Sequence, residues 1–365
     1  MEKIKLGDLC ISSAGQIKED ADTLIDYIDI SSVDNKIKKV TGFQTMSFGE
    51  APSRARKAVK KGSILVSTVR PNLNAVAILE DDTPNISVAS TGFCILDCKE
   101  NVDNRFVFNF CKSKPFIDDM VSQATGASYP AVSDKIVRAA LVPKYTYEEQ
   151  CNISEILDRV SNVIESKKVE LSTLDDLIQA RFIEMFGDPV INSMKWSEAL
   201  IGDNCFVTKL AGFEYTQYIN YDETGDVVMV KAQNVKNGKL NRKDLSFISE
   251  EVSNLLPRSQ LAPGDVVMTY VGANIGDVAV IDDEYKYHLA PNVAKIRLDS
   301  EIYDSTYFMY MLMLLNTYIV KNSADTAKAA LGMERIRKLR VFVPPIELQN
   351  QFADFVSQVN KLKVT

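Results

Sequence analysis

The sequence predicts a chain of the α/β class, with mixed α+β build, in which one domain type occurs twice and each copy is followed by a helical segment. Three observations predict it: a hairpin sequence that recurs about two hundred residues later, two further sequence segments that recur in the same order, and a long segment without proline or glycine. The 365 residues are enough for two or three domains. The expected boundaries are 1–145 for the first copy, 146–188 for a central helix, 189–345 for the second copy and 346–365 for a short C-terminal helix.

The repeated hairpin is the strongest of these signals. Residues 62–81, GSILVSTVRPNLNAVAILED, align without a gap with residues 264–283, GDVVMTYVGANIGDVAVIDD, and six positions are identical. Each segment reads as two short strands around a turn. Two hairpins can look alike by composition alone. However, LGDLCISSAG at Leu6 and AALVPKYTYEEQ at Ala139 also recur, as IGDNCFVTKLAG at Ile201 and RVFVPPIELQNQ at Arg340.

The segment 147–186 predicts one continuous helix, because it lacks proline and glycine and repeats apolar residues every seven positions. Gly187 is the expected C-cap, and Pro189 prevents continuation. Forty residues at about 1.5 Å each give a rod of roughly 60 Å, which predicts a fixed separation of the two copies. The predicted coiled-coil seam consists of Leu157, Val160, Ile164, Leu171, Leu174, Ile178 and Met185.

A second seam follows the second copy and consists of Phe352, Phe355, Val359 and Leu362. Two seams in one chain predict an antiparallel coiled coil, with the two copies at opposite ends in a pseudo-twofold arrangement. The alternative is that each seam packs only on its own domain. Since about twenty residues follow Val343, the second helix should be about half as long as the first, which leaves open how completely the pair closes.

Composition and cysteine use narrow the class of protein. With 46% hydrophobic and 25% charged residues, the chain has the composition of a soluble globular protein. The N-terminus has no apolar signal core, and the longest apolar run, 307–315, is too short to span a bilayer, which predicts a cytoplasmic protein. The six cysteines lack metal-site spacing and the single histidine is His288, so we expect reduced thiols and no zinc or other metal.

The net charge of −7 is unevenly distributed. Residues 146–188 hold ten carboxylates and four cations, so the rest of the chain carries about −1. Net charge therefore does not exclude a nucleic-acid partner. It predicts that the acidic central helix is not the surface that contacts one.

Catalytic signatures are missing from the sequence. It contains no phosphate-binding P-loop, no G-x-G-x-x-G after a strand and no Asn/Asp-Pro-Pro-aromatic signature of amino-methyltransferases. One histidine makes a Ser-His-Asp triad a poor explanation. DDEYK at Asp282 resembles the acidic cluster of metal-dependent nucleases, but its counterpart at Glu80 lacks the lysine, which favours a solvated turn. We therefore expect a binding protein with no catalytic residues.

Basic and amide side chains fall in matching regions of the two copies. Phosphate contacts are predicted for Lys36, Lys38, Lys39, Arg54, Arg56, Lys57, Lys60, Lys61, Lys236, Lys239, Arg242 and Lys243. Base reading needs paired donors and acceptors, which are offered by Arg70, Asn72, Gln233, Asn234 and Asn274. The polar loop 123–133 adds Ser128 and Tyr129. Alternatively, the clusters are ordinary solvated surface and the turn asparagines serve backbone geometry.

Taken together, these motifs resemble the specificity subunit of a type I restriction–modification system, the HsdS family. The resemblance covers essentially the whole chain. The motifs that carry it are the LGD-type opening of each copy, GSILVSTVR, ATGASYPAVS leading to LVP and EEQ, the long helix closing in FGDP, and KW at Lys195.

The resemblance implies two target-recognition domains of mixed α/β build, each reading one half of a split double-stranded DNA target. The helices would act as a ruler and as the docking surface for two modification subunits. Those subunits bind S-adenosylmethionine and methylate adenine, so this chain itself would bind no cofactor. Restriction subunits can join the complex and cleave DNA.

Three alternatives stay open at this point. The chain could be a methyltransferase or nuclease with an unrecognised motif, which predicts activity of the isolated chain. It could be a coiled-coil adaptor that binds proteins, which predicts no DNA retention at low salt. It could also be a solitary regulator derived from a specificity subunit. The target sequence itself does not follow from local spacing.

Overall fold

A computed structural model of the chain describes residues 2–12, 16–321 and 330–363. The chain divides into two compact units, Met1–Ser166 and Lys167–Thr365, which we call unit 1 and unit 2. The division falls within the 40-residue helix α5 (Tyr147–Phe186), whose bounds are those predicted from the sequence. Among the described helices, none is long and apolar enough to cross a bilayer.

Unit 1 consists of short strands, four helices in its described part, and the first half of α5. Its strands are β1 (Lys3–Lys5), β2 (Leu24–Ile28), β3 (Val33–Asp34), β4 (Lys39–Val40), β5 (Gln44–Ser47), β6 (Ala55–Ala58), β7 (Ile64–Ser67), β8 (Val76–Ile78), β9 (Ile86–Ser90), β10 (Phe93–Leu96) and β11 (Leu141–Pro143). Its helices are α1 (Leu6–Leu9), α2 (Asn104–Lys112), α3 (Lys114–Gln123) and α4 (Asp134–Ala139).

Unit 2 repeats this order of strands with one further strand and two further helices, and a single long helix replaces α2 and α3. Its strands are β12 (Ser197–Leu200), β13 (Cys205–Lys209), β14 (Val227–Val230), β15 (Val235–Lys236), β16 (Lys239–Leu240), β17 (Phe247–Ile248), β18 (Gln260–Leu261), β19 (Val266–Thr269), β20 (Val278–Val280), β21 (Lys286–Leu289), β22 (Val293–Leu298) and β23 (Arg340–Val343). Its helices are α6 (Ile201–Asn204), α7 (Gly212–Tyr218), α8 (Glu250–Leu255), α9 (Ser305–Lys321), α10 (Met333–Arg337) and α11 (Ile346–Leu362).

The sheets of the two units have the same topology. In unit 1 a four-stranded sheet has the order β5-β2-β9-β6, with β2 and β9 parallel, and an antiparallel sheet has the order β10-β7-β8. In unit 2 the corresponding sheets are β17-β14-β21-β18, with β14 and β21 parallel, and β22-β19-β20, which β13 extends. The two units are thus similar α/β folds with mixed sheets, as the sequence predicted.

The repeated hairpin sequence forms the same hairpin in both units. Leu65 pairs with Ala77 in β7–β8, and Val267 pairs with Ala279 in β19–β20, which is the register of the gapless alignment. Each hairpin follows a glycine in the left-handed region, Gly62 at φ +88° and Gly264 at φ +87°. A side chain is strained in that conformation, which explains why the two copies share glycine here.

A buried glutamine connects each unit to the helix that follows it. In unit 2 the side chain of Gln349 donates to the carbonyls of Ile302 (2.9 Å) and Pro344 (2.8 Å) and accepts from the amide of Asp304 (2.9 Å). In unit 1 Gln150 likewise donates to the Tyr145 carbonyl and accepts from the Asp103 amide. The gapless alignment of AALVPKYTYEEQ (139–150) with RVFVPPIELQNQ (340–351) places Gln150 opposite Gln351. The hydrogen bonds show instead that Gln349 is the counterpart of Gln150.

Replacing Gln349 with leucine is expected to lower the free energy of unfolding of unit 2 by about 2 kcal/mol, because buried backbone groups lose their partners. Urea unfolding followed by the fluorescence of Trp196, the single tryptophan, measures the change. Gln351→Leu is the matched control, since Gln351 is exposed on the same helix. An equal shift for both variants would contradict the assignment.

In unit 2 the helix α11 packs antiparallel on the last turns of α5. The ring of Phe352 lies 5.4 Å from that of Phe182 and 5.6 Å from that of Phe186, and Lys363 Nζ lies 2.5 Å from Asp175 Oδ1. Tyr307 of α9 completes the cluster, 4.6 Å from Phe186. The core around these rings includes six of the predicted seam residues: Leu174, Ile178, Met185, Phe352, Phe355 and Val359.

The remaining predicted seam residues are exposed. Leu157, Val160, Ile164 and Leu171 are 40–51% exposed, and Leu362 is 59% exposed. The reason is length, because the 17 residues of α11 span about 25 Å and cannot follow a helix of about 60 Å. The predicted pairing is therefore observed only for the last part of α5. The C-terminal helix was predicted to residue 365, but residues 364 and 365 lie outside the described residues.

Candidate nucleic-acid interface

The turn between β7 and β8 presents an arginine and an amide at one end of unit 1. Arg70 is exposed and has φ +49°, and the following residues 71–73 form a 3-10 turn in which Asn72 is exposed. Asn74 ends the turn at φ +46°, and its buried amide donates to the Cys111 carbonyl at 2.9 Å. Asn74 therefore serves the backbone geometry of the turn, because it adopts a positive φ. Asn72 has no positive φ, so its exposed side chain is a candidate for base reading.

The loop 123–133 docks directly against this turn. The Arg70 amide donates to the Pro130 carbonyl (2.7 Å), and the guanidinium carbon of Arg70 lies 4.7 Å from the ring centroid of Tyr129. Tyr129 is 68% exposed and Ser128 beside it is also exposed. Gly126, at φ +102°, allows the close approach, because a Cβ there would lie 2.8 Å from the Tyr129 carbonyl oxygen.

A second turn, between β3 and β4, lies against the first. Lys38 Nζ donates to the Asn74 carbonyl (2.5 Å) and to Asn74 Oδ1 (2.8 Å). Burial lowers the pKa of Lys38, and the nearby charge of Lys112 lowers it further. Lys36 is exposed on the same turn. We call this region, residues 35–38, 68–74 and 123–133, the unit 1 tip.

The predicted basic run 54–61 is divided by the fold. Arg54 Nη2 contacts Asp29 at 2.7 Å, and Arg54 Nε donates to the Tyr27 hydroxyl, which raises the pKa of Arg54. Lys57 Nζ contacts Asp134 and the Phe93 carbonyl, both at 2.6 Å. Since these carboxylates offset their charge, Arg54 and Lys57 lie near the unit 1 tip but are weaker candidates for phosphate contacts.

The other cations that we predicted in unit 1 lie away from the tip or already contact other groups. Lys60 and Lys61 precede β7, at the strand end opposite the tip, and Lys61 lies 3.4 Å from Asp81. Lys39 lines a separate groove of about 320 Å³ with residues 78–83. The guanidinium of Arg56 lies over the Phe48 ring at 5.0 Å.

Unit 2 repeats the arrangement of turns. The turn 270–276 between β19 and β20 contains Gly272 at φ +109° and Gly276 at φ +85°, and Asn274 is exposed between them without a positive φ. The turn between β15 and β16 contacts the hairpin, since the Gly238 amide donates to the Val278 carbonyl at 3.0 Å. We call residues 236–239 and 270–276 the unit 2 tip, which includes the exposed Lys236 and Lys239.

Sequence reasoning missed cations in both units. Lys112 lies near Lys38, and Lys209 Nζ lies 5.3 Å from the ring centroid of Tyr270 in the unit 2 tip. Both are single lysines in or beside a helix or strand, and neither has a local signal that distinguishes it from ordinary surface. The segment that corresponds to the loop 123–133 includes residues 322–329, which lie outside the described residues. Of the residues that follow this gap, Leu331 contacts the unit 2 tip, because its amide donates to the Tyr270 carbonyl at 2.8 Å.

Asn234, which we predicted to read bases, is a weak candidate for that role. It is 2% exposed, its Oδ1 accepts from the Lys231 amide, and its Nδ2 donates to the carbonyls of Asn241 (2.9 Å) and Lys243 (3.2 Å). An amide with all of these partners is part of the fold, so we leave it out of the interface. Its neighbour Gln233 and Lys243 are exposed at this side of unit 2.

The acidic run at Asp282 has structural partners. Arg242 contacts Asp282 and lies 2.7 Å from Glu284, while the Tyr287 hydroxyl donates to Asp282 at 2.7 Å. Arg242 is therefore a weak candidate for a phosphate contact. Within residues 2–12, 16–321 and 330–363, no group of three or more His, Cys, Asp or Glu side chains is arranged to hold a metal ion.

The single histidine is also part of the core. His288 is fully buried in β21, its Nδ1 lies 3.0 Å from the Leu289 carbonyl, and burial lowers its pKa. What the two tips offer is binding chemistry: cations for phosphates, an arginine and amides for base edges, and an exposed tyrosine ring.

Comparison with known proteins agrees with this picture. The family model for the type I restriction modification DNA specificity domain matches residues 195–365. The MjaVIII specificity subunit of Methanocaldococcus jannaschii is 24% identical over 72% of this chain and 64% of its own length. The EcoBI specificity subunit of Escherichia coli is 19% identical over 73% of this chain and 61% of its own. The chain thus spans just under two thirds of these relatives.

A solved structure supports the fold over the full length. It comes from work titled as the structural basis of complex assembly and conformational transition of the type I R-M system. It matches with a TM-score of 0.60 at 21% identity, covering 100% of this chain and 90% of the other. With the duplicated α/β unit, the long helix and the domain matched over residues 195–365, the chain is similar to the specificity subunits of type I restriction–modification systems.

Proposed function

We propose that this chain reads DNA sequence for a type I restriction–modification complex. Residues 1–145 and 189–345 act as its two target-recognition domains, and each contacts one half of a split double-stranded target. The observation that carries the proposal is the repetition of the tip: in both units the same hairpin turn lies against a second hairpin turn and is bridged to a following segment, through Ala131 and Ala330.

The chemistry of the tips supports contact with a duplex. Lys36 and Arg70 in the unit 1 tip, and Lys236 and Lys239 in the unit 2 tip, are exposed cations, none of which forms a salt bridge with another described residue. Such side chains can neutralise phosphates, and an arginine can also bond guanine through two donors. Tyr129 adds a ring that can pack against sugar or base.

We also propose that two modification subunits dock on this chain, and the helices support this part of the proposal. The central part of α5 carries exposed apolar side chains, and an exposed contiguous apolar surface of this kind is typical of protein interaction sites. The residues are Ile156, Leu157, Val160, Val163, Ile164, Val169 and Leu171. The central segment 146–188 is also rich in carboxylates, which favours a protein partner over DNA.

In this proposal the chain breaks no bonds itself. The modification subunits bind S-adenosylmethionine and methylate adenine, and restriction subunits join where the complex also cleaves. The length of α5 sets the non-specific spacer between the two half-sites.

Sequencing of modified bases in genomic DNA, with and without the gene for this chain, tests the proposal. We expect a split adenine-methylation motif to disappear when the gene is removed and to return when it is restored. An unchanged set of motifs would contradict the proposal. Methyl transfer or DNA nicking by the purified chain alone would favour an enzyme instead, and failure of the assembled complex to retain DNA at low salt would favour a protein adaptor.

A further inference from the structure

Two cysteines of unit 1 face each other across neighbouring backbone segments. Cys10, directly after α1, forms an antiparallel bridge with Cys98, two residues after β10. The backbone hydrogen bonds around the bridge join the neighbours of the cysteines, from Ile11 to Asp97 (2.8 Å) and from Lys99 to Leu9 (3.0 Å). This pattern defines a non-hydrogen-bonded pair, in which the Cα atoms are about 4.5 Å apart. A disulfide requires about 4.4–6.8 Å between Cα atoms, so the backbone can accommodate one.

The two thiols also interact chemically. A hydrogen bond from the Cys98 thiol lowers the pKa of Cys10, against the effect of burial, and the charges of Arg138 and Lys99 act in the same direction. Arg138 is held in position because its guanidinium donates to the carbonyls of Ile11 (3.0 Å) and Ile95 (2.9 Å). A thiolate is the form that attacks a disulfide, so Cys10 is suited to take up the proton of Cys98 and then to attack a disulfide formed at the Cys98 sulfur.

Solvent reaches the pair through Cys98. Cys10 is 3% exposed, but Cys98 is partly exposed and lines an open cleft of about 230 Å³. Lys60, Lys61 and Lys99 also line this cleft. Asp97 and Asp103 line it as well. A small disulfide entering the cleft would meet the Cys98 sulfur first. The hydrogen bond to Cys10 and burial raise the pKa of Cys98, so Cys98 needs a proton acceptor before it can attack.

Unit 2 provides an internal comparison. At the position that corresponds to the Cys10–Cys98 bridge, Cys205 of β13 lies opposite Leu298 of β22. Burial raises the pKa of Cys205 to about 12, in contrast to the lowered pKa of Cys10. The fold thus tolerates an apolar residue at this position, and the thiol pair is a feature of unit 1 that packing alone does not require.

We propose that Cys10 and Cys98 form a reversible disulfide, which makes this bridge a redox modification site that is independent of DNA reading. The oxidant is a low-molecular-weight disulfide. Cys10 starts as the thiolate. It takes up the proton of Cys98, and Cys98 then attacks one sulfur of the oxidant, which releases the first small thiolate. Cys10 then loses its proton to solvent and attacks the Cys98 sulfur, which releases the second. The pair loses two electrons, and the oxidant becomes two thiols.

The bond would join the start of unit 1 to the end of β10. The closed loop of chain contains β2 to β10 and therefore the turns 35–38 and 68–74 of the unit 1 tip. A bond across such a long loop restricts the unfolded chain and stabilises the folded unit.

Equilibration of the full chain in glutathione buffers of increasing oxidation tests the proposal. After acid quenching, alkylation and digestion, mass spectrometry is expected to find a peptide that links Cys10 to Cys98, two hydrogens lighter than the free peptides and lost on adding dithiothreitol. In Cys10→Ser we expect Cys98 to carry glutathione instead. In the control Cys205→Ser the link should form as in the wild type. Cys10 and Cys98 that remain thiols in the most oxidising buffer, or a wild-type Cys98 that carries only glutathione, would overturn the proposal.

A second variant, which adds a facing cysteine pair to unit 2, tests the proposal even if substitutions at Cys10 disturb folding. Leu298→Cys creates the same facing pair in unit 2, and at a fixed glutathione ratio we expect it to link more slowly than Cys10–Cys98, because the raised pKa of Cys205 leaves less of it as thiolate. A link between Cys205 and residue 298 that forms as fast as the Cys10–Cys98 link, or faster, would show that the unit 1 pair has no special reactivity, and would also overturn the proposal.

Discussion

Replacing Phe182 with alanine is expected to lower the free energy of unfolding of unit 2 by about 3–5 kcal/mol. The ring is 1% exposed and contacts three others: Phe186 at 5.0 Å, Tyr307 at 5.6 Å and Phe352 at 5.4 Å between centroids. Those three rings come from α5, α9 and α11, so the truncation leaves a cavity where all three helices meet. Surrounding rings of this size cannot collapse into the space without leaving their own contacts.

The measurement is urea unfolding followed by the fluorescence of Trp196. Its indole Nε1 donates to the Phe186 carbonyl at 2.9 Å, so the signal reports the end of α5 and not unit 1. Ile183→Ala is the matched control, because Ile183 is 41% exposed on the neighbouring face of the same helix. We expect its midpoint to change little. If the two variants shift the midpoint equally, the three-helix cluster is not what holds α11 to α5.

The sequence predicted the bounds of α5 because those depend on local chemistry. Neither proline nor glycine interrupts residues 147–186, and Gly187 has φ +79°, as a glycine C-cap requires. The buried face was harder to predict. The heptad pattern selected Ile178 and Met185, whereas the fully buried residues are Ile178, Phe182 and Phe186, in steps of four. Both α9 and α11 pack on this stretch, so its buried face is wider than a coiled-coil seam.

The candidate site could be predicted only in part, and the reason is that adjacency along the chain does not fix position on a domain. Lys57 and Lys60 are three residues apart, yet Lys57 contacts Asp134 and Lys60 lies near the opposite end of β7. Conversely, Arg70 and Tyr129 are far apart in sequence and stack at 4.7 Å. The β-bridge from Val69 to Ala131 and the backbone hydrogen bonds beside it bring them together, and no local pattern encodes these contacts.

Reversing the charge of two residues in the unit 1 tip is expected to weaken DNA binding by the assembled complex about 100-fold. In Lys36→Glu/Arg70→Glu, each change removes one phosphate or base contact, and a contact of about 1.4 kcal/mol corresponds to a factor of ten. The slope of log affinity against log salt should also fall, by about 0.9 for each phosphate contact that is lost. Titration of a labelled duplex into the chain with its modification subunits, at two salt concentrations, measures both effects.

The matched control is Lys60→Glu/Lys61→Glu, which makes the same change of charge at the opposite end of β7. We expect little loss of affinity, because those lysines lie outside the unit 1 tip, with Lys61 3.4 Å from Asp81. Equal weakening by the two double variants would show that binding responds to overall charge and that the tip is not the contact surface. The single variants then separate the roles. Lys36→Ala should weaken all duplexes alike, since a phosphate contact carries no sequence information. Arg70→Ala should weaken the recognised duplex by about 1–3 kcal/mol more than a random one, since it removes a paired bond to a base edge.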